Sequence, residues 1–134
     1  EFADYAIIGH SERRKYFNED DALLTKKVQM ALQFQVTPIF CVQDENTFIP
    51  TGVTLVAYEP IFAIGSGTPD TPENAEKVIK TIKSKNPLVQ YVLYGGSVKP
   101  ENINTFTTSP SIDGALVGGA SLEAEKFVAL IKNA

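Results

Sequence analysis

The sequence is poor in cysteine and in long apolar runs, and each shortage excludes a class of protein. Its one cysteine, Cys41, cannot form an internal disulfide and fits a reducing compartment. No apolar run reaches the ~18 residues that a membrane-spanning helix requires. The opening EFADYAIIGH is acidic and lacks the basic start of a signal peptide. We therefore expect a cytoplasmic protein with no membrane partner.

Positively charged residues are also fewer than negatively charged ones. Lysine and arginine together number 12 against 16 aspartates and glutamates, and the resulting net charge of −4 argues against a nucleic-acid partner. Hydrophobic residues make up 43% and charged residues 21% of the 134 positions. This composition is typical of a globular protein, and the length fits a single domain over residues 1–134.

The chain alternates between apolar runs and amphipathic stretches. The runs predict strands over residues 4–9, 36–42, 54–59, 89–95 and 113–118, and the stretches predict helices over residues 18–32, 71–84, 100–106 and 121–133. Thr71 and Ser121 are the expected N-caps of the last two long helices. Segment 43–53 reads as a loop. Continuous apolar strands are typical of a parallel sheet covered by crossover helices, so an α/β fold is expected.

Several residues that could take part in catalysis or binding directly follow these strands. In a parallel sheet the carboxyl ends of the strands lie at one edge, where functional groups collect. His10, the only histidine, follows the first strand, although a lone histidine is often a packing or surface residue. The turns YGGSV (94–98) and VGGAS (117–121) follow the last two strands. Each pair of glycines can adopt positive φ and let the backbone approach an anion at a helix start, or can form only a tight turn.

A carboxylate, Glu59, ends the third strand and is followed by Pro60 and four apolar residues, 61–64. If that segment covers the carboxylate, desolvation raises its pKa and makes it a better base. The stiff proline and the later glycines favour a lid that excludes water, whereas the plainer alternative is a loop packed on the rim. Likewise, Glu12, Arg13 and Arg14 can form a solvated ion-pair cluster, and Cys41 reads as a small buried hydrophobe.

The motifs IIGHSERR, AYEPIFAIGSG, YGGSV and DGALVGGASL, in this order on successive strand ends, resemble those of the triosephosphate isomerase family. The resemblance runs along the whole chain but covers only the second part of that family's (β/α)8 barrel, from the fourth strand to the eighth. It therefore implies a TIM-barrel fold of which about five strands are present here. The implied reaction interconverts dihydroxyacetone phosphate and glyceraldehyde 3-phosphate.

The resemblance also implies roles for particular residues. Glu59 matches the catalytic base, His10 the histidine that polarises the substrate carbonyl, and Glu12 the acidic residue near the site, with Ser11 beside it. The phosphate-binding positions are matched by Gly65, Ser97, Gly118 and Gly119. The lid is matched by Pro60, Ile61, Phe62, Ala63, Ile64, Gly65, Ser66 and Gly67. No metal and no organic cofactor are implied, the substrate is a small phosphorylated triose, and a homodimer is expected.

Three departures from the family pattern stand out. The catalytic lysine at the end of the first barrel strand has no counterpart, and Lys99 is a poor substitute for it. Phe62 stands where the family usually has tryptophan. The segment CVQDENTFIPTGV replaces a glutamate-bearing segment and a full helix between the fifth and sixth strands.

Five strands leave a barrel of this type unclosed. The opening EFADY reads as the tail of a helix, which favours the C-terminal part of a longer polypeptide. A half-barrel completed by a partner chain and a small open α/β domain are the alternatives. A catalytically silent half-barrel, or an assembly module that needs an N-terminal half to act, is the alternative function.

Overall fold

A computed structural model of the chain describes residues 3–64 and 68–134 and contains a single parallel sheet. The strand order is β1-β2-β3-β4-β5, and every neighbouring pair runs parallel. The strands are β1 (Tyr5–Ile8), β2 (Thr37–Val42), β3 (Leu55–Tyr58), β4 (Tyr91–Tyr94) and β5 (Gly114–Ala115). The predicted α/β class and the five strands are thus confirmed.

Helices occupy the connections on either side of most strands. They are α1 (Ser11–Phe17), α2 (Asp21–Gln33), α3 (Pro72–Lys85), α4 (Ile103–Thr107) and α5 (Ala124–Asn133). Two short 3₁₀ turns, Ile61–Ala63 and Gly119–Leu122, follow β3 and β5. Within the described part of the chain, no helix has both the length and the apolar character needed to cross a bilayer.

Helix α3 begins as its sequence predicts. The Thr71 side chain accepts a hydrogen bond of 3.2 Å from the Asn74 backbone N–H, and Pro72 occupies the first helical position, where no N–H is needed. The prediction for α5 is wrong. Ser121 lies in the 3₁₀ turn and its hydroxyl donates to the Gly118 carbonyl at 2.7 Å, so the helix starts only at Ala124.

The predicted helix over residues 18–32 begins three residues late in the structure. Asn18 has a left-handed φ of 52° and ends α1, a helix that the sequence analysis did not predict. Asp20 then caps α2 by accepting from the Leu23 N–H at 2.8 Å. Helix α1 was missed because it is short, lacks apolar periodicity and begins after His10, which is not one of the residue types favoured at N-caps.

The core lies between the sheet and its helices. Alternate residues of the strands form rows across the sheet, and the row Ile8, Phe40, Val56 and Val92 is paired in register and buried. The helices add fully buried side chains at Leu24, Val28, Ile79 and Ile82. This layer is the covered face that the apolar strands predicted.

The opposite face of the sheet is apolar too, but it is open. The neighbouring row consists of Ile7, Ile39, Leu55 and Tyr91, again in register. Ile7 is 51% exposed and Tyr91 is 55% exposed. Side chains of this kind fill the interior of a closed barrel, so the sheet has the surface of a barrel wall without its closure.

Loop 43–53 takes the place of a crossover helix between β2 and β3. Val53 is 1% exposed and Ile49 packs against the core, so the loop covers part of the outer face of the sheet itself. The sequence-based prediction of a loop here is confirmed.

Replacing Leu24 by alanine tests the core. Leu24 is fully buried and its neighbour Leu23 is 41% exposed on the same helix. We expect Leu24→Ala to lower the free energy of unfolding by about 2–5 kcal/mol, because it leaves a cavity, and Leu23→Ala to lower it by less than about 1 kcal/mol. Urea titrations followed by circular dichroism measure both, and equal losses would contradict this packing.

Candidate active site

The carboxyl ends of the five strands meet at one edge of the sheet, and the ladder continues one residue past β3 and β4. The Glu59 N–H donates to the Val42 carbonyl and the Gly95 N–H to the Tyr58 carbonyl, both at 2.8 Å. Because side chains alternate along a strand, Tyr58 lies on the helix-covered face and Glu59 on the opposite, inner face. The register therefore brings Glu59 beside Gly95.

Gly95 lies in a narrow space beside Glu59. A Cβ at this position would lie 3.1 Å from the Glu59 Cγ and 3.3 Å from the Tyr58 carbonyl oxygen. A larger residue would therefore crowd the Glu59 side chain, which would have to shift. The glycine of the YGGSV turn thus makes room for the carboxylate of the neighbouring strand.

The carboxylate of Glu59 is buried and held by both of its oxygens. The Ser11 backbone N–H donates to Oε2 at 3.1 Å, and Nε2 of His10 lies 3.1 Å from Oε1. Glu59 is only 1% exposed, whereas the His10 side chain keeps about a third of its surface in solvent. The structure therefore brings together His10 and Glu59, which were expected to lie close to each other because each follows a strand.

The orientation of His10 follows from its position before α1. Its Nδ1 accepts the Glu12 backbone N–H at 3.3 Å, as an N-capping side chain does. A nitrogen that accepts a hydrogen bond carries no proton, so the ring proton is on Nε2 and is directed at Glu59. The helix start thereby fixes which nitrogen can donate.

Burial raises the pKa of Glu59, and the neighbouring His10, the Ser11 N–H, the Cys41 thiol and Arg14 offset only part of that effect. The direction of the pKa shift and its cause, desolvation, agree with the sequence-based prediction, but the residues expected to bury the carboxylate are only partly the right ones. Ile61 and Phe62 are 62% and 63% exposed, so these two side chains do not cover the carboxylate.

Cys41 on β2 and Arg14 on α1 support the site. Cys41 is 1% exposed, as predicted for a small buried hydrophobe, and its thiol hydrogen-bonds to the Glu59 carboxylate. Arg14 was expected in a solvated cluster. Instead, its guanidinium donates to the carbonyls of Gly9 at 2.8 Å and Cys41 at 3.2 Å and joins the ends of β1 and β2.

The ion pairs expected within SERR form instead with acids outside it, since Arg13 pairs with Glu19 and Arg14 with Asp21. Arg13 contacts Oε1 of the buried Glu19 through Nε at 2.8 Å and Nη2 at 2.7 Å, and Lys27 reaches the same oxygen. Burial alone would raise the pKa of Glu19, but the hydrogen bonds from Lys27 and Arg13 outweigh it and lower that pKa. The pKa is therefore raised at one buried glutamate, Glu59, and lowered at the other, Glu19.

The two diglycine turns differ from their predicted form. Their glycines have no positive φ, and the left-handed residue is Ser97, with φ 52°. Neither turn opens an α-helix directly, since α4 begins at Ile103 and α5 at Ala124. A Cβ at Gly118 or at Gly119 would meet no atom of residues 3–64 or 68–134 within 4 Å, so on that side this backbone is open to a ligand.

One cleft of about 770 Å³ contains both parts of the site, the His10–Glu59 pair and the two diglycine turns. Its wall includes His10, Glu59, Ser97, Gly118 and Gly119. Five of the predicted residues from four different strand ends thus face the same space. At Ser97, Gly118 and Gly119, no backbone N–H donates to an acceptor within the described residues, which leaves these groups available to an anion.

Other predicted site residues are placed differently. Glu12 has an exposed side chain in the first turn of α1, and it does not belong to the described lining of the cleft. Pro60 and Ala63 are buried and Ile64 lines the cleft. The remaining predicted lid and phosphate positions, Gly65, Ser66 and Gly67, lie outside the described residues.

The segment that follows β3 is tied down at two points. The Ser97 hydroxyl donates to the Ala63 carbonyl at 2.5 Å. Farther on, the buried Asp70 donates its N–H to the Tyr94 hydroxyl at 2.8 Å and accepts from the Tyr58 hydroxyl at 3.4 Å. Sequence analysis missed this network, although Tyr94 belongs to the YGGSV motif.

Removing the Tyr94 hydroxyl tests the second tie. Tyr94→Phe leaves the buried Asp70 N–H without an acceptor, so we expect local opening at Asp70 to become easier by about 1–3 kcal/mol. Hydrogen exchange of the Asp70 amide measures it. Tyr91→Phe is the control, because Tyr91 is on the same strand and 55% exposed. Equal exchange in both variants would contradict an anchoring role.

The opposite pKa directions of Glu59 and Glu19 predict opposite effects of pH. With a raised pKa, Glu59 binds more protons in the folded than in the unfolded state, so its ionisation lowers the free energy of unfolding as pH rises through that pKa. Glu19, with a lowered pKa, stabilises the fold above its unfolded pKa and loses this effect as pH falls.

Carbon-detected NMR titration of the side-chain carboxyls should therefore find Glu59 above, and Glu19 below, the ordinary glutamate pKa of about 4.3. Assignment by Glu59→Gln and Glu19→Gln identifies the two signals. Midpoints in the reverse order would show that the carboxylates are not held as described.

Comparison with known proteins places these motifs in one family. A sequence profile of triosephosphate isomerase matches residues 2–54 and 50–134, two parts that meet in the loop between β2 and β3. The proteins named triosephosphate isomerase from Carboxydothermus hydrogenoformans and Caldanaerobacter subterraneus subsp. tengcongensis are 39% and 41% identical to this chain, covering 96% and 95% of it. The protein of that name from Vibrio parahaemolyticus is 38% identical over 98% of the chain.

The chain spans 63–64% of the length of these three relatives. The alignment with the Carboxydothermus protein has 161 positions, more than the 134 residues of this chain, so the relative has residues that this chain lacks within the matched region. The open sheet and the short loop after β2 fit this partial coverage. The chain belongs to the triosephosphate isomerase family, of whose barrel it forms a part.

Proposed function

We propose that this chain provides the proton-transfer machinery of a triosephosphate isomerase, which interconverts dihydroxyacetone phosphate and glyceraldehyde 3-phosphate in glycolysis and gluconeogenesis. One observation carries the proposal. Nε2 of His10 lies 3.1 Å from the buried Glu59 carboxylate, in a cleft whose wall also includes the two diglycine turns. Family membership supports it independently.

Glu59 is the base in this mechanism. Its carboxylate takes a proton from the carbon next to the substrate carbonyl, the electrons of that C–H bond form a C=C bond, and the carbonyl oxygen becomes an enolate oxygen. Glu59 then delivers the proton to the former carbonyl carbon, while the hydroxyl proton of the first carbon moves by way of His10 to the enolate oxygen, so the isomerisation ends with no net change in atoms. A raised pKa suits this role, because a more basic carboxylate accepts a carbon-bound proton more readily.

His10 is the electrophile. Its Nε2–H now points at Glu59, so a bound substrate must replace that contact with its carbonyl oxygen. The same N–H can then donate to the oxygen as negative charge develops there. The Glu12 N–H keeps Nδ1 as an acceptor throughout, which holds the donor on the side of the cleft.

The substrate phosphate would lie at the other end of the cleft, against the N–H groups of Ser97, Gly118 and Gly119. Convergent main-chain N–H groups bind anions even in a protein of negative net charge. The segment 60–67 would then close as the lid. Its exposed Ile61 and Phe62 side chains are available to pack over a bound substrate and exclude water.

The proposed reaction needs a cation that this chain does not supply at a strand end, namely the lysine of the family's first strand. We therefore place full activity in an assembly with the N-terminal part of the barrel, whether that part belongs to the same polypeptide or to a partner. The open row Ile7, Ile39, Leu55 and Tyr91 offers the surface for it. A cytoplasmic homodimer, the family habit, is the assembly that we expect.

An isomerase assay on three samples tests the proposal: this chain, this chain with the N-terminal part of a full-length relative, and the same mixture carrying Glu59→Gln. We expect conversion in the mixture, and a kcat lower by about 10²–10⁴ in the Glu59→Gln mixture with a similar KM, because general-base catalysis is lost. Glu125→Gln, a change at an exposed glutamate of α5, is the matched control.

The outcomes separate the two functions that were considered. Activity of the mixture that is lost with Glu59→Gln but not with Glu125→Gln supports the isomerase. A mixture that binds the N-terminal part in sedimentation runs yet shows no conversion above the Glu59→Gln background would instead support a silent assembly module.

A further inference from the structure

Two opposite charges line the phosphate end of the cleft beside the VGGAS turn. Lys126, in the first turn of α5, and Glu123, just before that helix, both belong to the lining. Nζ of Lys126 lies 2.7 Å from Oε1 of Glu123, and their side chains are 56% and 60% exposed. No motif of the sequence analysis included either residue.

We propose that Lys126 is a further binding residue, which contacts the phosphate group of a phosphate monoester held at Gly118 and Gly119, and that Glu123 restrains it in the empty cleft. This inference rests on the proposed function, since it adds a side-chain cation to the main-chain site. The 3₁₀ turn Gly119–Leu122 leads straight into the segment that carries the pair, so the cation follows the turn directly in the chain.

The energetics of the pair allow the exchange. An ion pair between two exposed side chains contributes little to stability, so the ammonium can leave Glu123 at low cost. A phosphate dianion offers it twice the charge of a carboxylate and more acceptor oxygens. Glu123, which also lines the cleft, would repel the same dianion. The two residues therefore have opposite effects on binding.

The location distinguishes Lys126 from the other lysines of the C-terminal region. Lys132 is on the same helix and exposed, but it is not among the residues that line the cleft. Lys132→Ala therefore removes the same charge from the same helix without touching the site. It controls for the general effect of net charge on anion binding.

The test is titration of the full chain with inorganic phosphate, followed by the backbone amide NMR signals of Gly118 and Gly119. We expect Lys126→Ala to raise the Kd about fivefold and to flatten its dependence on salt, because one charge-assisted contact is lost. Glu123→Gln should lower the Kd about twofold by removing the repulsion. Lys132→Ala should change the Kd by less than about 1.5-fold, since this exposed charge does not line the cleft and salt screens it.

The failures are distinguishable. If phosphate shifts both amides with the same Kd in all four proteins, Lys126 has no role, while the main-chain phosphate site stands. If phosphate shifts neither amide in the unchanged chain, the main-chain site fails and the inference fails with it. Circular dichroism confirms folding of each variant, and the opposite sign expected for Glu123→Gln keeps a mere loss of structure from imitating the result.

Discussion

The site depends on one buried contact, in which the Glu59 carboxylate is shared between the His10 ring and the Ser11 N–H. These groups come from β1 and β3, which are not neighbours but flank β2 in the sheet. The contact can form only if β2 lies between them at the normal strand spacing, so the spacing of the sheet sets that of the reactive groups. Cys41, on β2, is buried and its thiol hydrogen-bonds to the carboxylate. A buried charge without these donors would destabilise the fold, so the arrangement of the candidate site and the stability of the fold depend on the same contacts.

The short loop between β2 and β3 makes that requirement harder to meet. Parallel neighbours normally need a crossover of a dozen residues or more, and a helix usually provides it. Here residues 43–53 span the distance without one, and Val53 and Ile49 supply the apolar cover that a helix would give. The register of β2 with β3 is retained, from Ile39 opposite Leu55 to Val42 opposite Tyr58. Glu59 therefore keeps its place one residue beyond the paired strands, although the connection is short.

Sequence patterns predicted those features of the structure that depend on the periodicity of apolar residues and on the positions of the strand ends. The five strands, the start of α3 at Thr71 and the meeting of His10 with Glu59 all follow from local signals combined with the geometry of a parallel sheet. The details that were not predicted depend on tertiary packing. A Cβ at Gly95 would crowd the Glu59 side chain, and Phe62, which was expected to help bury that carboxylate, is 63% exposed. Neither fact can be read from a linear pattern, because both depend on which strand lies alongside.

The open inner face connects the fold to the function. The exposed row through Ile7 and Tyr91 is on the same face of the sheet as Glu59. Strands that closed this face would bury an apolar surface, which is the main driving force for such an association. Their carboxyl ends would arrive at the same edge as those of β1 to β5, because parallel strands share a direction. Closing the barrel would thus bring new side chains to the cleft and exclude water from it in one step. Completing the hydrophobic interior and completing the proposed site would then be one structural event.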